Sequence, residues 1–359
     1  MTEPVGGARA PRRILVRCPN HVGDVVMATP GLAALRRAAP EARIVAQLPA
    51  ALVPLLEGAG LVDELWPLES RAGGAGGWLR DARRIAAFRF ELGLAIPESV
   101  SSALLMRLGR VGRIVGFARD PLRRALLHTA VPADPAWGPR RLVSRERFVL
   151  RLMEAVGVPA SAGPPRLHLA TTSAEADRLD RVLRPLGLPV DALAERAPIV
   201  LAPGAGYGEA KCWPAESFAG LADRLAEAGA PLVLVGAGDE ADRLATVARG
   251  MRTRPIVLPG LLDLGALKVL LRHARLLVAN DAGTRHVAAA FGVPSVVFFG
   301  PTSVAKTPDN LEHVAVLETE QACRPCYLRR CPIDHRCLRE IPVERALAAA
   351  RRVVAEHGA

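Results

Sequence analysis

Arg13–Pro30 reads RILVRCPNHVGDVVMATP, and this stretch decides the fold. Ile14, Leu15 and Val16 are a short apolar run with charge on both sides, which predicts a buried first strand. Pro19, Asn20 and Gly23 then turn the chain. Val25, Val26, Ala28, Leu32 and Leu35 give the apolar stripe of a following helix. Asp24 is therefore expected on a strand-to-helix turn near a helix N-terminus. Open α/β sheets bind ligands at such turns, beyond the carboxyl ends of their strands. The structural alternative is that Asp24 only satisfies the dipole and free N–H groups of that first turn.

Working outward, strands are expected at 42–48, 62–68, 92–96 and 114–117, and helices at 51–57, 79–88 and 101–108, with a glycine-rich break at Gly73–Gly77. A longer amphipathic helix is expected at Leu142–Val156 and another at Ala174–Leu183, and Pro189–Pro198 reads as a linker. A second alternating unit then begins. Its strands are expected at 199–202, 232–235, 256–258, 276–279 and 295–298, with helices between them and a last helix over Val343–Glu356. Such alternation predicts an α/β protein with doubly wound parallel sheets, and two units of this kind facing one another would form a cleft for a ligand.

At 359 residues two domains are the default, and a chain 50% apolar and 23% charged is a folded globular protein. The formal net charge is +11, and Lys211, Lys268 and Lys306 are its only lysines. Arginine therefore carries nearly all of the positive charge. That excess favours an anionic partner, although the heavy use of Ala, Arg, Gly and Pro has the look of a genome-wide bias. With 4% aromatics, stacking platforms for single-stranded nucleic acid are not evident. Met1–Arg12 is polar and basic with no apolar run behind it, so no signal peptide is expected. No apolar run reaches the length of a membrane span. Between Arg107 and Arg147 arginine is dense, with Arg110, Arg113, Arg119, Arg123, Arg124, Arg140, Arg141 and Arg145. This is either a solvated basic face or a surface for an acidic acceptor, since guanidinium groups fork onto phosphate and carboxylate.

Four constellations in the second half have chemical meaning. Pro203-Gly-Ala-Gly-Tyr-Gly-Glu-Ala-Lys211-Cys-Trp-Pro214 places glycines and one lysine between a buried strand and a helix, where backbone N–H groups approach a phosphate closely. The Walker ending is missing, so this is not a P-loop; a plain surface loop is the alternative. Asn280-Asp281-Ala282-Gly283-Thr284-Arg285-His286 opens another helix. There Gly283 and Thr284 either present N–H groups to a diphosphate, or Asp281 and Thr284 cap the helix. Gly236-Ala-Gly238-Asp239-Glu240 offers carboxylates to ribose hydroxyls, or caps its own helix. Cys323, Cys326, Cys331 and Cys337, with His335 among them, are ligand types for zinc at a non-standard spacing; reduced thiols are the alternative.

In this order, VRCPNHVGDVVMATPGLAAL, APGAGYGEAKCWPAESFAGLADRL, VLVGAGDEAD, NDAGTRHVAAAFGVPSVVFFGPTSVAKTPDN and CRPCYLRRCPIDHRCL resemble the ADP-heptose:lipopolysaccharide heptosyltransferases, the type II enzymes most closely. The resemblance implies a GT-B fold of two Rossmann-like domains facing a cleft. The expected division is 1–190 as an acceptor-binding domain, 191–340 as the nucleotide-sugar-binding domain, and 341–359 as a helix packing back on the N-terminal domain. The implied reaction is inverting transfer of heptose from ADP-heptose to the inner core of lipid A–core lipopolysaccharide, with no metal required for the chemistry. The resemblance makes Asp24 the general base and Lys211 a catalytic, donor-side lysine. It assigns Gly204, Gly206, Tyr207, Gly236, Asp239, Glu240, Asp281, Ala282, Gly283, Thr284 and His286 to the donor. Asn20, His21, Arg119 and Arg123 are expected on the acceptor. Ala282, Thr284 and Arg285 depart from the family pattern, where Ser or Thr and an apolar pair are commoner. The implied location is the cytoplasm, peripherally on the inner membrane, with no nucleic-acid partner. A related transferase with another nucleotide sugar, or an arginine-rich nucleic-acid-binding protein, remain the alternatives at this point.

Overall fold

The computed structural model describes residues 11–69, 74–138, 143–160, 163–227 and 229–357. Residues 1–10, Gly73, Arg140 and Arg141, named above, lie outside the described residues. The chain divides into two compact units, Met1–His168 and Leu169–Ala359.

Unit 1 contains β1 (Arg13–Arg17), α1 (Val22–Ala38), β2 (Arg43–Leu48), β3 (Glu64–Pro67), α2 (Gly74–Phe88), β4 (Leu92–Ala95), α3 (Val100–Leu108), β5 (Arg113–Phe117), α4 (Pro121–Leu126), β6 (Thr129–Val131) and α5 (Arg145–Glu154). Its sheet is parallel throughout, in the order β3-β2-β1-β4-β5-β6. Leu15 is centred between Val45 of β2 and Gly93 of β4. The interior strands are apolar runs rather than alternating ones because helices cover the sheet faces. Helix α1 is buried without interruption from Val25 to Leu35, wider than the stripe expected, because it packs against α5 as well as lying under the sheet's cover.

Unit 2 contains α6 (Ser173–Leu183), β7 (Ile199–Ala202), α7 (Ala215–Ala226), β8 (Leu232–Gly236), α8 (Ala241–Gly250), β9 (Ile256–Pro259), α9 (Leu264–Arg272), β10 (Leu276–Asn280), α10 (Gly283–Ala290), β11 (Ser295–Phe298), β12 (Val314–Leu317), α11 (Arg336–Arg339) and α12 (Val343–His357). Its six parallel strands run β12-β11-β10-β7-β8-β9, the same winding as unit 1. In both sheets the order reverses between the first and the fourth strand of the unit. Those switch points are where open α/β sheets take their ligands. The Asp24 turn follows β1, and the turns bearing Lys211 and Asp281 follow β7 and β10.

Three boundary expectations are corrected. The division falls at His168/Leu169, not near residue 190, because α6 packs on α9. Lys268 and Glu175, both fully buried, are joined at 3.0 Å there, and Lys268 Nζ also donates to the Ala170 carbonyl at 2.7 Å. Pro189–Pro198 is accordingly not a linker: Leu188 and Leu193 are core residues. Helix α12 covers the sheet of unit 2. Its small-residue face, with Ala346, Ala349, Ala350 and Val353, is buried in unit 2's own core with Trp213, Phe218 and Phe298. Gly74–Gly77 is no break but the first turn of α2. The short strands β6 and β12 and the helix α4, not foreseen, complete the sheets and their cover.

Candidate active site

In unit 2 the carboxyl ends of β7 and β10 are neighbours, so the two turns beyond them meet. Asn280 holds them together. Its Nδ2 donates to the Pro203 carbonyl at 2.8 Å and the Gly204 carbonyl at 3.3 Å, and its Oδ1 accepts from Trp213 N at 2.9 Å. The loop thus begins and ends on one buried side chain. Within that frame Lys211 Nζ donates to Asp281 twice, at 2.8 Å to Oδ2 and 2.7 Å to the main-chain oxygen. Arg285 Nε donates to Asp281 Oδ1 at 2.9 Å, and Thr302 Oγ1 to Oδ2 at 2.8 Å.

One carboxylate therefore sits between two cations, and the trio keeps a net positive charge. Burial works to raise the Asp281 carboxyl, but Arg285, Lys211 and Thr302 outweigh it and hold it well below the usual carboxylate range. His286, also buried, is pushed well below its ordinary value, first by burial and then by Arg285, so it is neutral near pH 7. Helix α10 starts at Gly283 after an extended Ala282, and no side chain caps it. The capping alternative for Asp281 and Thr284 is thus not what the chain adopts: the Asp281 carboxylate turns back to Lys211 and Arg285. A helix N-terminus beside a net positive cluster is an anion site in charge and in donors.

The third turn joins this group through Gly204. A Cβ at Gly204 would sit 2.1 Å from the Glu240 carboxyl group. Glu240 Oε2 accepts from Ala237 N at 2.9 Å, closing its own turn, while burial and the neighbouring Asp239 push its carboxyl above the ordinary value. Asp239 is exposed and Gly236 half-buried at the strand end. Gly206 and Tyr207 are exposed on the loop, and the Lys211 ammonium lies 5.1 Å from the centre of the Tyr207 ring.

The cysteine-bearing segment braces the same loop. Tyr207 OH donates to the Tyr327 carbonyl at 2.5 Å, Ala210 N to the Arg329 carbonyl at 3.1 Å, and His335 Nε2 lies 2.7 Å from the Ala210 carbonyl. Cys323 and Cys326 are exposed, Cys331 is half-buried, and Cys337 is buried, which pushes its thiol up to about 11. Among the described residues no three of His, Cys, Asp or Glu are arranged to hold a metal.

In unit 1, Asp24 stands in the first turn of α1, about one-third exposed, with Arg145 Nε 3.8 Å from its Oδ1. Asn20 Oδ1 accepts from the buried Arg17 at 2.5 Å, so this turn is fixed from below by the end of β1. His21 is the exposed residue preceding α1, and Arg119 is exposed after β5. Arg123 is corrected: it is fully buried and faces no acceptor. It donates to the carbonyls of Phe117 at 2.6 Å and Ala95 at 3.2 Å, to Ser102 Oγ at 3.0 Å, and to the Ser99 carbonyl. It is a strut joining the ends of β4 and β5 to α3.

Sequence reasoning missed Asn280, Arg285, Thr302 and Arg17 as organisers. The four-residue spacing of Asp281 and Arg285 on a helix start was the available signal for one of them. Thr302 and the braces at Tyr327 and Arg329 are distant in sequence from what they touch.

The chain is similar to known proteins over most of its length. Residues 78–336 match glycosyltransferase family 9 (heptosyltransferase). The chain is 28% identical over 309 residues to lipopolysaccharide heptosyltransferase 2 of Salmonella typhimurium, covering 84% of this chain and 86% of that one. It is 29% identical over 265 residues to lipopolysaccharide heptosyltransferase 1 of Pseudomonas aeruginosa, covering 71% and 67%. Among solved structures, the ADP-heptose LPS heptosyltransferase II of E. coli superposes with a TM-score of 0.79 at 25% identity, over 97% of this chain and 100% of that one. The two Rossmann-like units have the GT-B fold, and the chain belongs to glycosyltransferase family 9, the heptosyltransferases.

Proposed function

We propose that this enzyme moves a heptose from ADP-heptose to a hydroxyl of the lipopolysaccharide inner core in one inverting displacement. The supporting observation is the Lys211–Asp281–Arg285 cluster at the uncapped start of α10. As the bond from the anomeric carbon to the diphosphate breaks, its electron pair leaves with ADP. Charge then grows on the phosphate oxygens. Lys211 has three N–H donors, two of them aimed by Asp281, which directs the third. Together with the Gly283 and Thr284 N–H groups it stabilises that charge without reorganising. Glu240, beside Gly204 and Gly236, is the acceptor for ribose hydroxyls.

On the acceptor side, Asp24 takes the proton of the attacking hydroxyl. What supports this role is a carboxylate one-third exposed on a turn fixed by Arg17 and Asn20. With Lys211 and the helix supplying the positive charge, the chemistry asks for no bound metal. The exposed Arg119 and His21 suit the acidic inner core. The acceptor is a lipid, so the enzyme works peripherally at the cytoplasmic face of the inner membrane; no helix of the described residues is long and apolar enough to cross it.

The test is ADP release with ADP-heptose and a defined, deacylated inner-core acceptor, run beside a panel of other nucleotide sugars. Transfer from ADP-heptose alone is expected. Faster transfer from a different nucleotide sugar would overturn the donor assignment.

A further inference from the structure

Helices α2, α3 and α4 of unit 1 present a surface that the reaction does not use. Between them they contain one carboxylate, Asp81, and it is only 2% exposed. The exposed side chains of these helices are accordingly mostly arginine and leucine, with Arg80 of α2 paired to Glu69 just before it. Leu79 is 50% exposed, Leu108 54% and Leu122 63%. Leu79 and Leu108 are not scattered: with Trp78, Ala82 and Ala86 they line one groove of about 430 Å³, rimmed by Arg83 and Arg110. Leu104 stands one turn before Leu108 on the same side of α3. Arg107 crosses from α3 to the end of α4, donating to the Leu126 carbonyl at 2.8 Å, which joins the helix bearing the exposed Leu122 to α3.

We infer that this face docks on a bilayer surface rich in anionic lipid, with the leucines entering the acyl boundary and the arginines on headgroup phosphates. The inference rests on the lipid-acceptor reading above. Exposed apolar side chains flanked by arginine, on helices whose one carboxylate is buried, are the composition of an interfacial helix face. A nucleic-acid duplex would match the arginines but leave the leucines in water. A second copy related by two-fold symmetry would cover the leucines but set arginine against arginine.

The experiment is co-sedimentation with vesicles of phosphatidylcholine alone and of phosphatidylcholine with phosphatidylglycerol. It uses the full chain, the Leu79→Ser/Leu108→Ser pair and Arg83→Glu. The parent is expected to sediment with the anionic vesicles and not with the neutral ones. Each variant should lose about tenfold or more in partitioning while keeping its melting temperature. Both should retain parental turnover on the deacylated, water-soluble acceptor. Variants that sediment like the parent would overturn the inference, as would a parent that ignores anionic vesicles or one that self-associates through this face. A parent that binds vesicles but transfers no heptose to the soluble acceptor would instead overturn the functional reading and leave the docking face standing.

Discussion

Lys211 is bonded to Asp281 through both the carboxylate and the main-chain oxygen, at 2.8 and 2.7 Å, across 70 residues of sequence. The ammonium is thereby aimed rather than tethered loosely. Replacing it by Met should leave Asp281 held by Arg285 and Thr302 and the fold intact. Hydrogen bonds to charged groups contribute about 1.5–3 kcal/mol, so ADP affinity should fall about 10- to 100-fold by titration calorimetry. Unchanged affinity would remove Lys211 from the donor site.

Asp24→Asn keeps the size of the side chain and removes the base. Turnover should drop by at least about a hundredfold while ADP affinity stays at the parental value. Near-parental turnover would show that another group takes the acceptor proton.

Gly208 adopts φ +148°, and a Cβ there would lie 2.4 Å from the Arg329 carbonyl oxygen. Gly208→Ala should cost about 1–3 kcal/mol in denaturant unfolding, since neither backbone yields easily. Gly206, with open space around it, is the control, and its Ala variant should match the parent.

Arg123 and Arg119 are four residues apart and should behave as opposites. Arg123→Met strands several buried carbonyls and should destabilise by about 3–5 kcal/mol, read by calorimetry. Arg119→Ala should leave stability unchanged and raise the acceptor KM. A stable Arg123→Met protein would overturn the strut.

His286 is pushed below its ordinary value in the folded chain and titrates normally when unfolded. The unfolded state therefore binds the extra proton first, and stability present above about pH 6.5 is lost as the pH falls below it. His128, His168 and His273 are shifted the same way, so the whole protein should follow this slope. His286→Gln should flatten the slope between pH 7 and 5 in melting experiments; an unaltered slope would assign it to the other three.

Both sheets and most helices were legible because strand–turn–helix repeats carry their own punctuation: apolar runs at Ile14–Val16 and Leu276–Ala279, with Pro, Asn and Gly after them. The turns after β7 and β10 were legible for the same reason. What sequence hid was long-range. Arg123 lay in an arginine-dense stretch and looked like its neighbours, yet the ends of β4 and β5 bury it. The alanines of α12 gave no sign in sequence of which sheet they would cover, and they are buried on the sheet of unit 2. The arginines that looked alike in sequence are divided in the structure among struts such as Arg123, ion pairs such as Arg285–Asp281 and exposed side chains such as Arg119.

Asn280 joins the two ends of one loop through a single side chain. Because one carboxamide closes both ends of the 203–213 loop, the protein's own side chains hold that loop in shape. The entropy of ordering it is lost during folding, so nucleotide capture need not restrict it again. Substitution of Asn280 would therefore slow encounter-limited capture more than it would weaken any single contact, because the loop would then have to be gathered afresh around every incoming nucleotide.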